Sequence, residues 1–246
     1  MIGISLLVLY VGYIKSRTEL AYTSQINMKG IILGLLLILI DLAYNLYVGG
    51  EFKYFDFGML TGGAFIILLN MGLLRFLKLD EKMISFATYF IVVVMLSYGF
   101  LFTGIPFILN SAENPFLVFV TEISLRTTAF FLLFINPNVS ASPTSINFDG
   151  FLIYIAYPCS GVESIALFLS GIVAYFIAIR EKDSKKIVLY AIIGIGALFF
   201  MNILRLMAIV LVGYHMGTEE MLFVHNFLGW VMFTLAMAVF WFLVFR

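Results

Sequence analysis

Apolar stretches close to the length of a bilayer-crossing helix recur through most of this 246-residue chain. An α-helix rises 1.5 Å per residue, so about 20 apolar residues cross the ~30 Å hydrocarbon layer. The stretches fall at roughly 1–14, 30–48, 58–77, 83–102, 160–180, 187–213 and 224–246, and a further apolar segment covers 116–135. The chain is 63% hydrophobic and 11% charged, against about 45–50% and 25% in soluble domains. The expectation is an all-α, polytopic integral membrane protein with about seven or eight transmembrane helices, folded as a single domain over 1–246. The first 13 residues lack a basic leader region and a small-residue cleavage site, so they read as a short first helix and not a removable signal peptide.

With 14 basic and 14 acidic residues the chain has no net charge, and nothing points to nucleic-acid binding. A single cysteine excludes an intrachain disulfide and a multi-cysteine metal site. No metal or cofactor is expected. Charge does, however, sort the loops. Lys15, Arg17 and Lys29 lie in one, Arg75, Lys78 and Lys82 in a second, and Arg180, Lys182, Lys185 and Lys186 in a third. The loops near 103–115, 136–158 and 214–223 have no Lys or Arg, and that near 49–57 has only Lys53. Basic residues gather in short cytoplasmic loops, so these three loops and Arg246 are assigned to the cytoplasm and the 136–158 loop to the exterior. If 116–135 crossed the membrane once, that bookkeeping would invert. The segment is therefore expected to be an exterior interfacial or re-entrant piece, with Glu122 and Arg126 able to pair at i, i+4. The 136–158 loop combines turn residues with a β-rich run at 151–157, which predicts a short extended segment or hairpin over the site.

Polar chemistry in so apolar a chain is scarce, and three costly groups stand out. Cys159 lies in Tyr157-Pro-Cys-Ser-Gly-Val-Glu-Ser164, where a loop meets an apolar run. Ser160 and Glu163 fit the S-x-x-E capping box. That places the thiol one residue before the cap, beside the positive helix end that favours thiolate. The plainer reading is a small apolar filler. Arg205, in Asn202-Ile-Leu-Arg205, lies inside an apolar run, where an arginine costs about 2.5–3.5 kcal/mol on insertion scales unless it faces a cavity or a partner. The i, i+3 spacing puts the Asn202 amide on the same face, able to hold the guanidinium. A structural ion pair with Asp41 or Glu122 is the alternative, and Asp41 in the second span lies near the inferred depth of Arg205. His225 opens His225-Asn-Phe-Leu-Gly-Trp230. Alone it reads as a solvated histidine at a helix end, and Gly229 one turn on would admit a neighbouring helix.

Cys159-Ser-Gly161 with Ser164, Asn202 with Arg205, and His225 with Gly229-Trp230 follow one another on three consecutive helices. In that order they resemble the exosortase/archaeosortase family of membrane transpeptidases over about 150–235. The resemblance implies that Cys159, Arg205 and His225 form the active site; Ser160, Glu163, Asn202 and Asp41 are expected in support from their own spacing and depth. It implies a cysteine transpeptidase or protease that cleaves a carboxyl-terminal sorting signal of membrane-anchored secreted proteins and passes them to an acceptor, by resemblance a lipid. The location implied is the cell membrane, with the site facing the exterior. Two other readings stay open. A transporter would line a polar path with Asp41, Asn45, Asn70, Glu122 and Arg126. A catalytically inactive assembly partner would merely retain the motifs.

Overall fold

The structure, a computed structural model, describes residues 26–48, 54–72, 81–101, 105, 114–179 and 184–244. The expected span at 1–14 lies outside the described residues, as do Lys15, Arg17, Lys53, Arg75, Lys78, Arg180, Lys182 and Arg246. Among the described residues seven helices and one small sheet follow one another: α1 (Met28–Val48), α2 (Tyr54–Asn70), α3 (Glu81–Gly99), α4 (Pro115–Leu132), β1 (Val139–Ala141), β2 (Ser145–Phe148), β3 (Phe151–Tyr154), a 3-10 turn (Tyr157–Ser160), α5 (Val162–Ile179), α6 (Ser184–Met216) and α7 (Thr218–Val244). Among the described residues five helices are long and apolar enough to cross a membrane: α1, α3, α4, α6 and α7. Shorter apolar helices occupy Asp56–Asn70 and Val162–Ala178. The described residues thus give five helices of full length where the sequence predicts seven or eight.

Helix α4 is long and apolar enough to cross a membrane, by its length and composition. It runs unbroken for 18 residues because Pro115 occupies its first turn and Asn114 caps it, Oδ1 accepting from Phe116 N at 3.0 Å and Leu117 N at 3.3 Å. A proline at the first helical position loses no hydrogen bond, and an asparagine cap satisfies amides that the helix cannot. The buried face of α4 is Leu117, Thr121, Ser124, Leu125, Thr128, Ala129 and Leu132. Glu122 and Arg126 pair with each other at 2.6 Å away from that face, as the i, i+4 spacing predicts.

The chain groups into two compact units, one comprising residues 1–16, 105–168 and 188–246, the other 17–104 and 169–187. In the second, α1 and α2 approach closely where Gly34 and Gly63 face one another. A Cβ on Gly34 would lie 2.7 Å from the Gly63 carbonyl oxygen, and one on Gly63 would lie 2.8 Å from that of Gly34. Small residues at such crossings let helices pack by dispersion where no hydrophobic effect acts between them. Leu37, Met59, Ile66, Ile91 and Val92 form the core of this unit. Asn70 Nδ2 donates to Thr88 Oγ1 at 2.8 Å and to Ile66 O at 2.9 Å, and Asn45 Nδ2 turns back to Asp41 O at 3.0 Å.

In the first unit β1, β2 and β3 form an antiparallel sheet in that order. A two-residue turn, Asp149-Gly150, joins β2 to β3. Both residues have positive φ, 53° and 87°, as the primed hairpin turn requires. The Asp149 carboxylate accepts from Asn138 Nδ2 at 3.1 Å and from Tyr214 Oη at 3.0 Å, tying the turn to the end of α6. These two bonds, Asn138's above all, hold its carboxyl below the usual range. Under the sheet Leu125 and Leu132 of α4 meet Ile146, Phe148, Ile153, Ile155, Cys159 and, from α6, Leu206 and Val210. Both helices use their carboxyl-terminal halves, so α4 and α6 reach the sheet running in the same direction.

Candidate active site

Three helices of the first unit carry the site, and aromatic packing holds them together. The Phe168 ring of α5 lies against Gly194 of α6, where a side chain would collide with it, and meets Phe240 of α7 edge-on at 4.7 Å between centroids. Against this frame Cys159 lies in the 3-10 turn that precedes α5, its amide donating to Ala156 O at 2.9 Å. The residue is 8% exposed. Its Sγ is 3.5 Å from His225 Nε2, within reach of proton transfer between thiol and imidazole.

The local geometry at Cys159 departs from the expected capping box. Helix α5 begins at Val162, and Gly161, at φ 88°, supplies the carbonyl that accepts its first helical bond, from Ile165 N at 3.1 Å. Ser160 therefore lies one residue before the cap. Its Oγ accepts from Val162 N at 3.4 Å, a single long bond in place of the reciprocal pair with Glu163. Cys159 is displaced from the helix end by the same amount. Burial pushes its thiol above the ordinary value; the Arg205 guanidinium opposes that and the Glu163 carboxylate adds to it. Burial thus opposes the thiolate that the sequence expects from the helix end. Ser124, which sequence reasoning overlooks, fixes the turn from below: its Oγ donates to Ser160 O at 3.1 Å, both residues being fully buried. The signal available for it was the polar stripe Thr121, Ser124, Thr128 at i, i+3, i+7 in an otherwise apolar helix.

Arg205 reaches His225 from α6, Nη2 donating to the His225 carbonyl at 3.3 Å. The guanidinium lies on Gly229, where a Cβ would be 3.0 Å from both Cζ and Nε. Asn202, one turn earlier, packs its amide on Gly161: a Cβ there would be 3.0 Å from Cγ and 3.1 Å from Nδ2. The expected hold of Asn202 on the guanidinium is thus replaced by two separate seats, each an absent side chain. Asn202 Nδ2 and Arg205 Nε are both buried without a hydrogen-bond partner among the described residues. A buried, unsatisfied donor costs about 1–3 kcal/mol, so both groups stand to gain from an acceptor.

Two acidic partners were foreseen for Arg205, Glu122 and Asp41. Glu122 is taken by Arg126. Asp41, 3% exposed, lies within electrostatic range of Asp56, a second carboxyl, and its Oδ2 has no hydrogen-bond partner among the described residues. Sequence spacing could not show this, because Asp56 lies at the start of the next helix and meets Asp41 only once α1 and α2 are packed. Glu163, at the head of α5, is within electrostatic range of both Arg205 and Cys159. His215, at the end of α6, stacks edge-on against Tyr214 and is exposed.

The geometry therefore brings Cys159, Arg205 and His225 together, with Asn202 and Glu163 at their margin. No curated protein and no solved structure matches the chain. A model of the transmembrane exosortase family (Exosortase_EpsH) matches residues 1–242, nearly the whole length. That match extends well beyond the three motifs into the helices of the second unit, and the chain belongs to the transmembrane exosortase family.

Proposed function

We propose that this exosortase is a cysteine transpeptidase whose nucleophile is Cys159, with His225 as its proton carrier and Arg205 as its anion-stabilising group. The observation that carries the reading is the 3.5 Å approach of Cys159 Sγ to His225 Nε2, with two unsatisfied buried donors, Asn202 Nδ2 and Arg205 Nε, on the neighbouring helix. As the thiol attacks a peptide carbonyl its proton passes to His225, and the carbonyl π electrons move onto oxygen. Arg205 Nε–H and Asn202 Nδ2–H donate to that oxyanion, each exchanging an unsatisfied state for a charge-assisted bond. The intermediate collapses as the C–N bond breaks, and His225 returns the proton to the departing amine. A thioester on Cys159 remains. An amine or hydroxyl of an acceptor then displaces the sulfur, His225 taking the acceptor's proton and returning it to the thiol. The substrates in this reading are secreted proteins with a carboxyl-terminal sorting signal, and the acceptor is a lipid at the cell surface.

The site belongs on the exterior face of the cell membrane in this reading. Lys185 and Lys186 open α6 at the end that basic residues assign to the cytoplasm. The sheet, the turn bearing Cys159 and the α6–α7 junction are at its other end.

The test is co-expression of a secreted protein ending in an apolar helix and a basic tail with wild type or Cys159→Ala. Loss of carboxyl-terminal processing is expected, with a thermal midpoint close to wild type, since removing one buried sulfur costs only about 1 kcal/mol. Processing that persists in Cys159→Ala ends the proposal.

A further inference from the structure

A peptide bond must leave helical structure before a nucleophile can reach its carbonyl, because in a helix that carbonyl is hydrogen-bonded and shielded. A substrate arriving at Cys159 is therefore extended, and an extended chain has main-chain donors and acceptors to satisfy. The first unit has a matching surface. With the strands in the order β1-β2-β3, β1 lies toward α4 and, among the described residues, β3 is the open edge. Hydrogen-bond parity follows from the register: Ile155 N donates to Thr144 O at 2.9 Å, and Ile153 and Phe151 face Ile146 and Phe148 two and four residues further along. In an antiparallel ladder those residues exchange their bonds with β2. Leu152 and Tyr154 then direct their N–H and C=O groups toward the open edge.

This edge lacks the usual protections. Natural edge strands are blunted by charges, prolines or bulges, whereas β3 reads Phe-Leu-Ile-Tyr. Ile153 is buried below, while Leu152 and Tyr154 are 49% and 76% exposed. The strand is also continuous with the nucleophile. Two residues after Tyr154, the Ala156 carbonyl closes the turn on Cys159 N. At its start Phe151 lies against Gly213, beside Met221 in the first turn of α7, one turn before His225.

We propose that the open edge of β3 binds the substrate as a fourth strand, through the main-chain groups of Leu152 and Tyr154, and so delivers the scissile carbonyl to Cys159. This inference rests on the peptidase reading above. Its occupant is a neutral extended peptide segment, recognised by backbone first and by alternate side chains second.

Tyr154→Pro removes one outward N–H and no internal hydrogen bond, a substitution an edge strand accommodates. It should lower kcat/KM for processing about tenfold through KM, the effect of one main-chain bond, while Cys159 is alkylated at the wild-type rate. Tyr154→Ala keeps the N–H and should lose clearly less than Tyr154→Pro. Wild-type processing by Tyr154→Pro, or an equal loss in Tyr154→Ala, overturns the proposal. Should Tyr154→Pro fail to fold, N-methylation of successive amides in a peptide substrate of the wild-type enzyme replaces it; sensitivity at every second amide supports the edge, and uniform tolerance overturns it. A photo-crosslinking residue at position 152 in Cys159→Ala should trap the substrate, and one at position 140 in β1 should not. Persistent cleavage by Cys159→Ala would count against the peptidase reading, while the crosslinks would still report on the edge.

Discussion

Glycine serves opposite purposes in the two units. Between α1 and α2, Gly34 and Gly63 face one another's backbone, and the missing side chains let two helices touch. Around the candidate site Gly161 and Gly229 face side chains, and the missing Cβ atoms make room for an amide and a guanidinium. One arrangement converts absence into packing, the other into seats for polar groups that an apolar interior would otherwise exclude. The contrast shows that a glycine in a membrane helix is interpretable only from what it faces. It also divides the two kinds of substitution by readout, stability in one unit and chemistry in the other.

The largest effect expected is at Arg205. Arg205→Lys keeps the charge but loses the planar fork of donors, and loss of one oxyanion contact costs about 10²–10³ in rate. Processing should fall by that factor while the thermal midpoint stays close to wild type. Near-normal processing would return Arg205 to a purely structural role. Next comes Gly229→Ala, whose methyl group would enter the space of the guanidinium at 3.0 Å. A displacement of about 1 Å in a catalytic group costs about a hundredfold. Turnover should drop accordingly with little loss of stability, measured by processing beside a thermal melt. Gly63→Ala should behave in reverse. Its methyl group would meet Ile38 Cγ1 at 2.6 Å and the Gly34 carbonyl at 2.8 Å, an overpacking worth about 1–3 kcal/mol. The melt should shift, and turnover per folded molecule should not. If the two alanines give the same phenotype, the contrast between the units fails.

Titration of Cys159 gives the smallest effect. Burial raises the thiol and Glu163 raises it further, so alkylation in the free enzyme should show a midpoint above the ordinary value of about 8.5. Removing a carboxylate removes part of what holds the proton on sulfur. Glu163→Gln should therefore move the midpoint down, by less than about one unit for one partly screened charge. A midpoint that rises or stays fixed in this variant would place Glu163 outside the electrostatics of the site.

The membrane class and the order of the three motifs were legible because both are properties of the chain in one dimension. Apolar run length identifies helices that cross a bilayer, and Cys159, Arg205 and His225 each stand out as polar groups at helix ends or inside apolar runs. What escaped reading depends on which way a helix face turns. The i, i+3 spacing puts Asn202 and Arg205 on one side of α6 but says nothing of the glycines that each meets. Asp41 was expected beside Arg205 from its depth alone, and depth gives no sign of Asp56, which the α1–α2 packing brings to Asp41. The start of α5 was expected from Ser160, yet Gly161 adopts the positive φ that moves it one residue on. The Asp149-Gly150 turn was available to be read, since Asp-Gly between two apolar runs is a strong hairpin signal.

Helix α6 has 33 residues, roughly 50 Å against a hydrocarbon layer of about 30 Å. Arg205 is twenty residues beyond Lys185, about 30 Å along the axis. With Lys185 at one boundary, the guanidinium lies where the hydrocarbon ends at the other. The helix then acts as a measuring rod. On the proposed function, a substrate anchored by its own apolar helix would be cut at a fixed height above its anchor, whatever the residues in between. Lengthening the stretch between anchor and cleavage point would carry the recognised bond past the thiol, and shortening it would bury that bond in lipid.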